Sequence, residues 1–297
     1  MKLSKLRKHW MAAAAGLALS LGVAAPSMAA PVPSFTLAPS AFGLPTADFV
    51  ANHIMGSSSE LLHTTATGHY GSGWMQISGF NLNGNPLRDS VTGLGTYELY
   101  ITYDLVDVWS MGNPNSPGMT NTLTKLDFKF WVDISHNNAY TQAAVDVDND
   151  TGVEATVANT SDDILLAYGS LIQGVAGFDS LGGAFLNSIQ NFAICTGAGS
   201  ATLQGMPVTG ALAAGAADCT SGMGNAYFKL PQPFYGLAFD EFNNTTQGFE
   251  ATPSGLVAIN QASGSIDFNR IPEPGSLALL GLGLLGAGLN FRRRRAR

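Results

Sequence analysis

Four stretches of this chain carry residue types whose spacing could do chemistry. In "DVDNDTGVE", Asp146, Asp148 and Asp150 alternate, as hard oxygen ligands do in calcium loops. An EF-hand counted from Asp146 needs Gly at the sixth position and Glu at the twelfth. Thr151 and Val157 stand there, which excludes it. Two readings remain: a shallow surface Ca²⁺ site on Asp146, Asp148 and Asp150, or a solvated acidic turn between "YTQAAV" and "VEATVA". The adjacent acids Asp162-Asp163 and Asp240-Glu241 could serve a glycosidase only if two carboxyls face each other across a cleft. "GLGLLG" matches G-x-G-x-x-G at Gly281, Gly283 and Gly286. A dinucleotide loop must follow a strand and open a polar-faced helix, whereas these glycines sit inside an apolar run.

Other catalytic patterns are missing from the sequence. No serine has glycine at both −2 and +2, so there is no nucleophile elbow. His53, His63, His69 and His136 have no HExxH or comparable tight metal spacing. The expectation is a protein that is not an enzyme and needs no cofactor, Ca²⁺ at Asp146, Asp148 and Asp150 being the one candidate. Trp74, Trp109, Trp131, Tyr235 and Phe242 could stack on sugar rings, or could be core, the commoner fate of aromatics in strands.

The two ends carry targeting patterns. Lys2, Lys5, Arg7 and Lys8 precede an apolar run from Met11 to Ala25, then Pro26 and the small residues of "SMA". That is the plan of a secretory signal peptide, residues 1–29, cut between Ala29 and Ala30. Near the other end, Pro272-Glu273-Pro274 is followed by 17 positions without charge, Gly275–Phe291, and then Arg292, Arg293, Arg294, Arg295 and Arg297. Such a run reaches the lower limit of a membrane-spanning helix, about 17–25 residues. Arginine beside a span stays cytoplasmic, so the bulk of the chain is expected outside. Pro272 and Pro274 disfavour helix and leave the segment extended and accessible.

Between these ends lies the expected exported body, residues 30–270. Of the 14 Lys and Arg, only Arg88, Lys125, Lys129, Lys229 and Arg270 fall there, against 20 of the 21 acids, for a net charge near −15. Such a body repels nucleic acid and anionic headgroups and attracts divalent cations or basic partners.

The tail, residues 271–297, resembles a PEP-CTERM sorting signal: Pro272-Glu273-Pro274, one hydrophobic span and an arginine cluster. The resemblance implies a bacterial protein exported by the Sec route and held transiently in the inner membrane. An exosortase then processes it near the PEP motif and it reaches the cell surface or an extracellular matrix of exopolysaccharide. Pro272, Glu273 and Pro274 would be read by the sorting enzyme, and the arginines would set topology. In the body, the order of "SDDILLAYGSLIQG", "NFAI", "PFYGLAFDEFN" and "GSIDF" is similar to the flocculation-associated group of PEP-CTERM proteins. That likeness implies a role in flocculation and biofilm formation. The alternatives are a Ca²⁺-assisted carbohydrate-binding module and an extracellular glycoside hydrolase.

The elements that would position any site read as strands. In Leu123–Ile134, Leu126, Phe128, Phe130, Val132 and Ile134 alternate with Lys125, Asp127, Lys129 and Asp133, a period of two with one dry face. Thr96–Trp109 repeats the pattern with Tyr97, Leu99, Ile101, Tyr103 and Leu105. The turn formers of "SMGNPNSPGM" join the two as a hairpin. Shorter strands are expected at Trp74–Phe80, Tyr140–Val147, Ile164–Ile172, Asn191–Ile194, Ala226–Leu230, Tyr235–Phe239 and Gly264–Phe268. Helix is expected at Ala47–Met55 and Leu181–Gln190. The fold class is all-β, a β-sandwich or jelly roll. Cys195 and Cys219 are the only cysteines, and an exported pair forms a disulfide more often than it stays as two buried thiols.

Overall fold

The computed structural model describes residues 32–109, 115–234, 236–244 and 251–268, with backbone alone for 240–244. The hairpin legible in the sequence is its centre. Glu98–Val108 and Thr120–Asp133 pair antiparallel, with Leu99 opposite Val132, Ile101 opposite Phe130 and Leu105 opposite Leu126. All six of these side chains are buried. The alternation exists because each strand has one face against the core and one against solvent.

Six further strands extend this hairpin into a closed sheet of eight. In chain order the eight are β1 (His53–Thr64), β2 (His69–Leu82), β3 (Glu98–Val108), β4 (Thr120–Asp133), β5 (Leu171–Phe178), β6 (Ala184–Gln190), β7 (Leu237–Asn244) and β8 (Leu256–Phe268). Each pairs antiparallel with the next, and β8 pairs back onto β1 over ten register positions. The expected all-β, sandwich-like architecture is thus realised as one sheet wrapped around its core, which leaves these strands no open edge. Ile164–Gly169 continues the line of β5 along β4, and Ala193–Gly197 continues β6 alongside it.

The two ends of the enclosed core differ. At one end Phe35, Phe192, Phe228, Phe234 and Phe268 fill the interior. Phe192 stands 4.8 Å from Phe268 and 5.0 Å from Phe228, ring centroid to centroid. Each buried phenylalanine contributes about 1.5–3 kcal/mol of transfer free energy. The opposite end carries the polar groups described below. Outside the barrel, residues 139–158 form two short ladders, Ala139–Thr141 with Thr156–Ala158 and Ala144–Asp146 with Thr151–Val153. They bury Trp74 and Leu61 from the outer side, and the Trp74 indole donates to the Thr141 carbonyl at 2.9 Å.

Three expectations are corrected. Ala47–Met55 is not a helix: Phe49–Ala51 is a strand, and β1 begins at His53. Phe49 and Ala51 are buried and Val50 is exposed, a period of two too short to read beside Asn52. Leu181–Gln190 is likewise a strand from Ala184. Its buried residues include Ser188 and Gln190, whose side chains bond each other at 2.6 Å, so polar residues stand where apolar ones would have marked the strand. In Ala226–Leu230 only Phe228–Leu230 is extended; Met223–Tyr227 is a helical turn.

Candidate functional site

At the end of the barrel opposite the phenylalanines, a pocket opens among β1 to β8. It offers about 40 Å³ to the centres of water molecules and is lined by Glu60, Tyr103, His69, Asp107 and Asn121 among apolar side chains. Strand geometry places each polar group. Glu60, Gly73 and Tyr103 occupy one row across β1, β2 and β3. A Cβ on Gly73 would lie 2.7 Å from the Glu60 Cβ and 2.9 Å from the Tyr103 hydroxyl. Glycine in the middle of the row therefore lets the Tyr103 phenol reach over β2 and bond the Glu60 carboxylate. Asn121 is turned inward by a bulge. Val106 pairs with Lys125 but Asp107 pairs with Leu123, so Thr124 is the extra residue. The inward face shifts from the Leu126 parity to Leu123 and Asn121, as a bulge re-aims side chains.

The resulting network is tightly held. The His69 Nδ1 lies 3.0 and 3.1 Å from the two Asp107 carboxylate oxygens, and the His69 backbone N–H also donates to Asp107 at 2.9 Å. The His69 Nε2 lies 2.6 Å from the Asn115 Oδ1, an oxygen oriented by the Asn115 amide, which donates to Thr64 Oγ1 at 3.1 Å. Both ring nitrogens thus face acceptors, Nδ1 also lying 3.4 Å from the Asn121 amide nitrogen, and the two acceptors favour the imidazolium. Burial alone would lower the His69 pKa; hydrogen bonds to Asp107 and Asn115, with the charges of Asp107 and Glu60, reverse this and raise it. The Asn121 amide donates to Asp107 Oδ2 at 3.2 Å.

Glu60 is the exception in this network. It is 8% exposed, and its pKa is pushed up to about 7 by burial first and by the Asp107 charge second, against the lowering effects of Tyr103 and His69. Burial and the Glu60 charge hold the Tyr103 phenol well above its ordinary range, so it stays a donor. Among the described residues, neither Glu60 Oε2 nor Asn121 Oδ1 has a hydrogen-bond partner. Two buried acceptors without donors are costly, about 1–3 kcal/mol each.

A second concavity lies on the outer wall. It is a groove of about 470 Å³ bordered by Ser72, Thr102, Asp104, Asp127, Lys129 and Tyr168. Asp104 and Asp127 stand directly opposite each other on β3 and β4, an unfavourable pairing of like charges, and Lys125 lies 3.4 Å from Asp127.

The residues singled out in the sequence fall elsewhere. Asp146, Asp148 and Asp150 are exposed at the turn between Ala144–Asp146 and Thr151–Val153. Asp146 accepts from the Asn149 backbone and side chain, and Asp150 from the Ser254 backbone. Among the described residues no three His, Cys, Asp or Glu side chains converge as a metal-holding group. His63 and His69 lie on opposite faces of the wall: His63 stacks on Tyr70 and bonds Glu154 at 2.8 Å outside, while His69 points in. Asp162 and Asp163 diverge, one to Ser135 and the other to Tyr100 and Asn138. Trp74 is buried and Trp109 and Trp131 are half-buried. The Tyr235 residue and the side chains of Asp240, Glu241 and Phe242 lie outside the described set, as do Ala29, Ala30, Pro272, Glu273, Pro274, Arg292, Arg293, Arg294, Arg295 and Arg297. Cys195 and Cys219 are joined in a buried disulfide, Cα to Cα 5.5 Å. No helix among the described residues is long and apolar enough to cross a membrane.

The sequence presents His69 only as one of four histidines without tight metal spacing and does not single out Glu60, Asp107 or Asn121. The available signal was a carboxyl on the face of "GSSSELLH" that would otherwise be dry. Comparison with known proteins bears on the tail. Residues 270–295 match the model of the PEP-CTERM protein-sorting motif. No curated protein and no solved structure matches the chain.

Proposed function

We propose that this PEP-CTERM protein is a non-enzymatic surface or matrix protein that promotes the aggregation of exopolysaccharide-producing bacteria. The observation that carries the reading is the sorting motif at residues 270–295, which marks an exported protein processed by an exosortase. In this reading the signal peptide is removed after Ala29 and Gly275–Phe291 anchors the chain transiently in the inner membrane. Processing near Pro272-Glu273-Pro274 then frees the barrel. The body, with net charge near −15, resists collapse onto anionic envelopes and meets polysaccharide through hydrogen bonds and bridging cations.

Carbohydrate binding is a second reading, favoured by the outer groove with its Ser72 and Thr102 hydroxyls and its Asp104, Asp127 and Lys129 charges. Its volume falls in the range of small-molecule sites, about 300–1,000 Å³, and its polar border suits a hydroxyl-rich ligand. The two readings are compatible, since gripping polysaccharide is one way to promote aggregation. A clean deletion scored for flocculation and for exopolysaccharide retained on cells tests the first. Both should fall and return on complementation; unchanged aggregation refutes it. Complementation with Asp104→Asn/Asp127→Asn tests the groove, and full restoration of retention would remove it from the account.

A further inference from the structure

We propose that the pocket at the polar end of the barrel binds a small apolar molecule through a primary ammonium group, held by Glu60 and Asn121. The donor and acceptor inventory points to this chemistry. The two groups left without partners among the described residues, Glu60 Oε2 and Asn121 Oδ1, are both acceptors, and both border the same pocket. Reversing Asn121 would turn its oxygen toward His69 Nδ1, 3.4 Å away, but would set it against the Asp107 carboxylate at the closer distance of 3.2 Å, a repulsion that keeps the NH₂ there. A ligand of these two groups must therefore supply donors. An ammonium has three, whereas a hydroxyl has one.

Charge leads to the same conclusion. The His69 imidazolium and the Asp107 carboxylate, 3.0 Å apart, neutralise each other. An ionised Glu60 has no cation of its own in the pocket, and a buried carboxylate lacking one is strongly disfavoured. The groups that face it are Tyr103 and Asp107 from β3, His69 from β2 and Ser58 on its own strand. The lining from β4 to β8 includes only apolar side chains besides Asn121, among them Leu126, Ala176, Leu186, Phe239 and Ile259. Those apolar groups suit a short hydrocarbon body. The raised pKa of Glu60 fits a carboxyl without a countercharge: burial favours its neutral form, and a bound cation would restore the ionised one. This site is independent of the sorting motif and of the outer groove.

The test is calorimetric titration of the exported protein with n-butylammonium chloride, NaCl being matched, and with n-butanol as the neutral control. Saturable one-site binding is expected for the amine. With Glu60 near 7, affinity should be about tenfold higher at pH 8 than at pH 6, and binding at pH 6 should release about 0.9 proton. Glu60→Gln should weaken amine binding at least tenfold and leave n-butanol unaffected. Should that variant fail to fold, the proton release of the unaltered protein decides alone. Absence of saturable amine binding would overturn the proposal, leaving a pocket for water only. So would n-butanol binding as tightly as the amine, affinity independent of pH, or an unchanged affinity in folded Glu60→Gln.

Discussion

Replacing Glu60 with Gln should change how the stability of the barrel depends on pH. The carboxyl has an ordinary pKa of 4.5 and is pushed to about 7 in the folded protein. The folded state thus binds its proton more tightly than the unfolded chain. The stability this confers is fully present below about 4.5 and is lost as pH rises through about 7. At 1.36 kcal/mol per unit, the full loss is about 3 kcal/mol, of which roughly 2–3 kcal/mol falls between pH 5 and pH 8. Gln keeps the shape and can still accept from Tyr103, but does not titrate. The raised pKa of His69 also makes stability fall with rising pH; the part held by Asp107 and Asn115 remains in the variant, while the smaller part due to the Glu60 charge goes with it and adds to the difference in the same direction. Urea unfolding at pH 5 and pH 8 reads the difference. Between those values the midpoint of the natural protein should drop further than that of the variant by roughly 1 M, for slopes of 1–3 kcal/mol/M. Parallel pH profiles would show that Glu60 ionises in the folded protein as it does in water, and the description of the pocket would fail.

Two further outcomes follow from the framework around the site. Replacing Cys195 and Cys219 with Ala removes a cross-link over 24 residues, a loss of about 3 kcal/mol in the chain-entropy model; thiol labelling of the denatured, unreduced protein should find no free cysteine, and two labelled thiols would contradict the bond. Asp107→Ala breaks a buried pair and should cost about 3–5 kcal/mol, whereas Glu154→Ala breaks only the exposed pair with His63 and should cost under about 1 kcal/mol; equal costs in thermal unfolding would deny that the His69–Asp107 pair is buried.

The parts of this protein that were legible in its sequence are those where burial and periodicity coincide. β3 has a dry face of Leu, Ile and Tyr and β4 one of Leu, Phe and Val, and the sequence alone draws their hairpin. β6 could not, because Ser188 and Gln190 take inward positions and erase the alternation. The pocket was hidden for the same reason. Glu60 lies in a run of serines, and Asn121 faces inward only because of the bulge at Thr124, which one strand's sequence does not announce. Asp107 is separated from His69 by 38 positions and meets it only once β2 and β3 are paired. The acidic triplet Asp146, Asp148 and Asp150 shows the converse. Its spacing is conspicuous in sequence, yet at the hairpin turn Asp146 accepts from Asn149 and Asp150 from Ser254. The tail is legible without a fold, since charge, length and proline act on it directly.

The account depends most on the sorting of this chain, and the intact mass of the protein recovered from outside the cell measures that directly. Processing at the motif predicts a chain that begins at Ala30 and has lost the apolar span and the arginines, with Pro272→Leu/Pro274→Leu instead retained in the inner membrane at its unprocessed mass. An extracellular protein whose mass still includes Gly275 through Arg297 would contradict it.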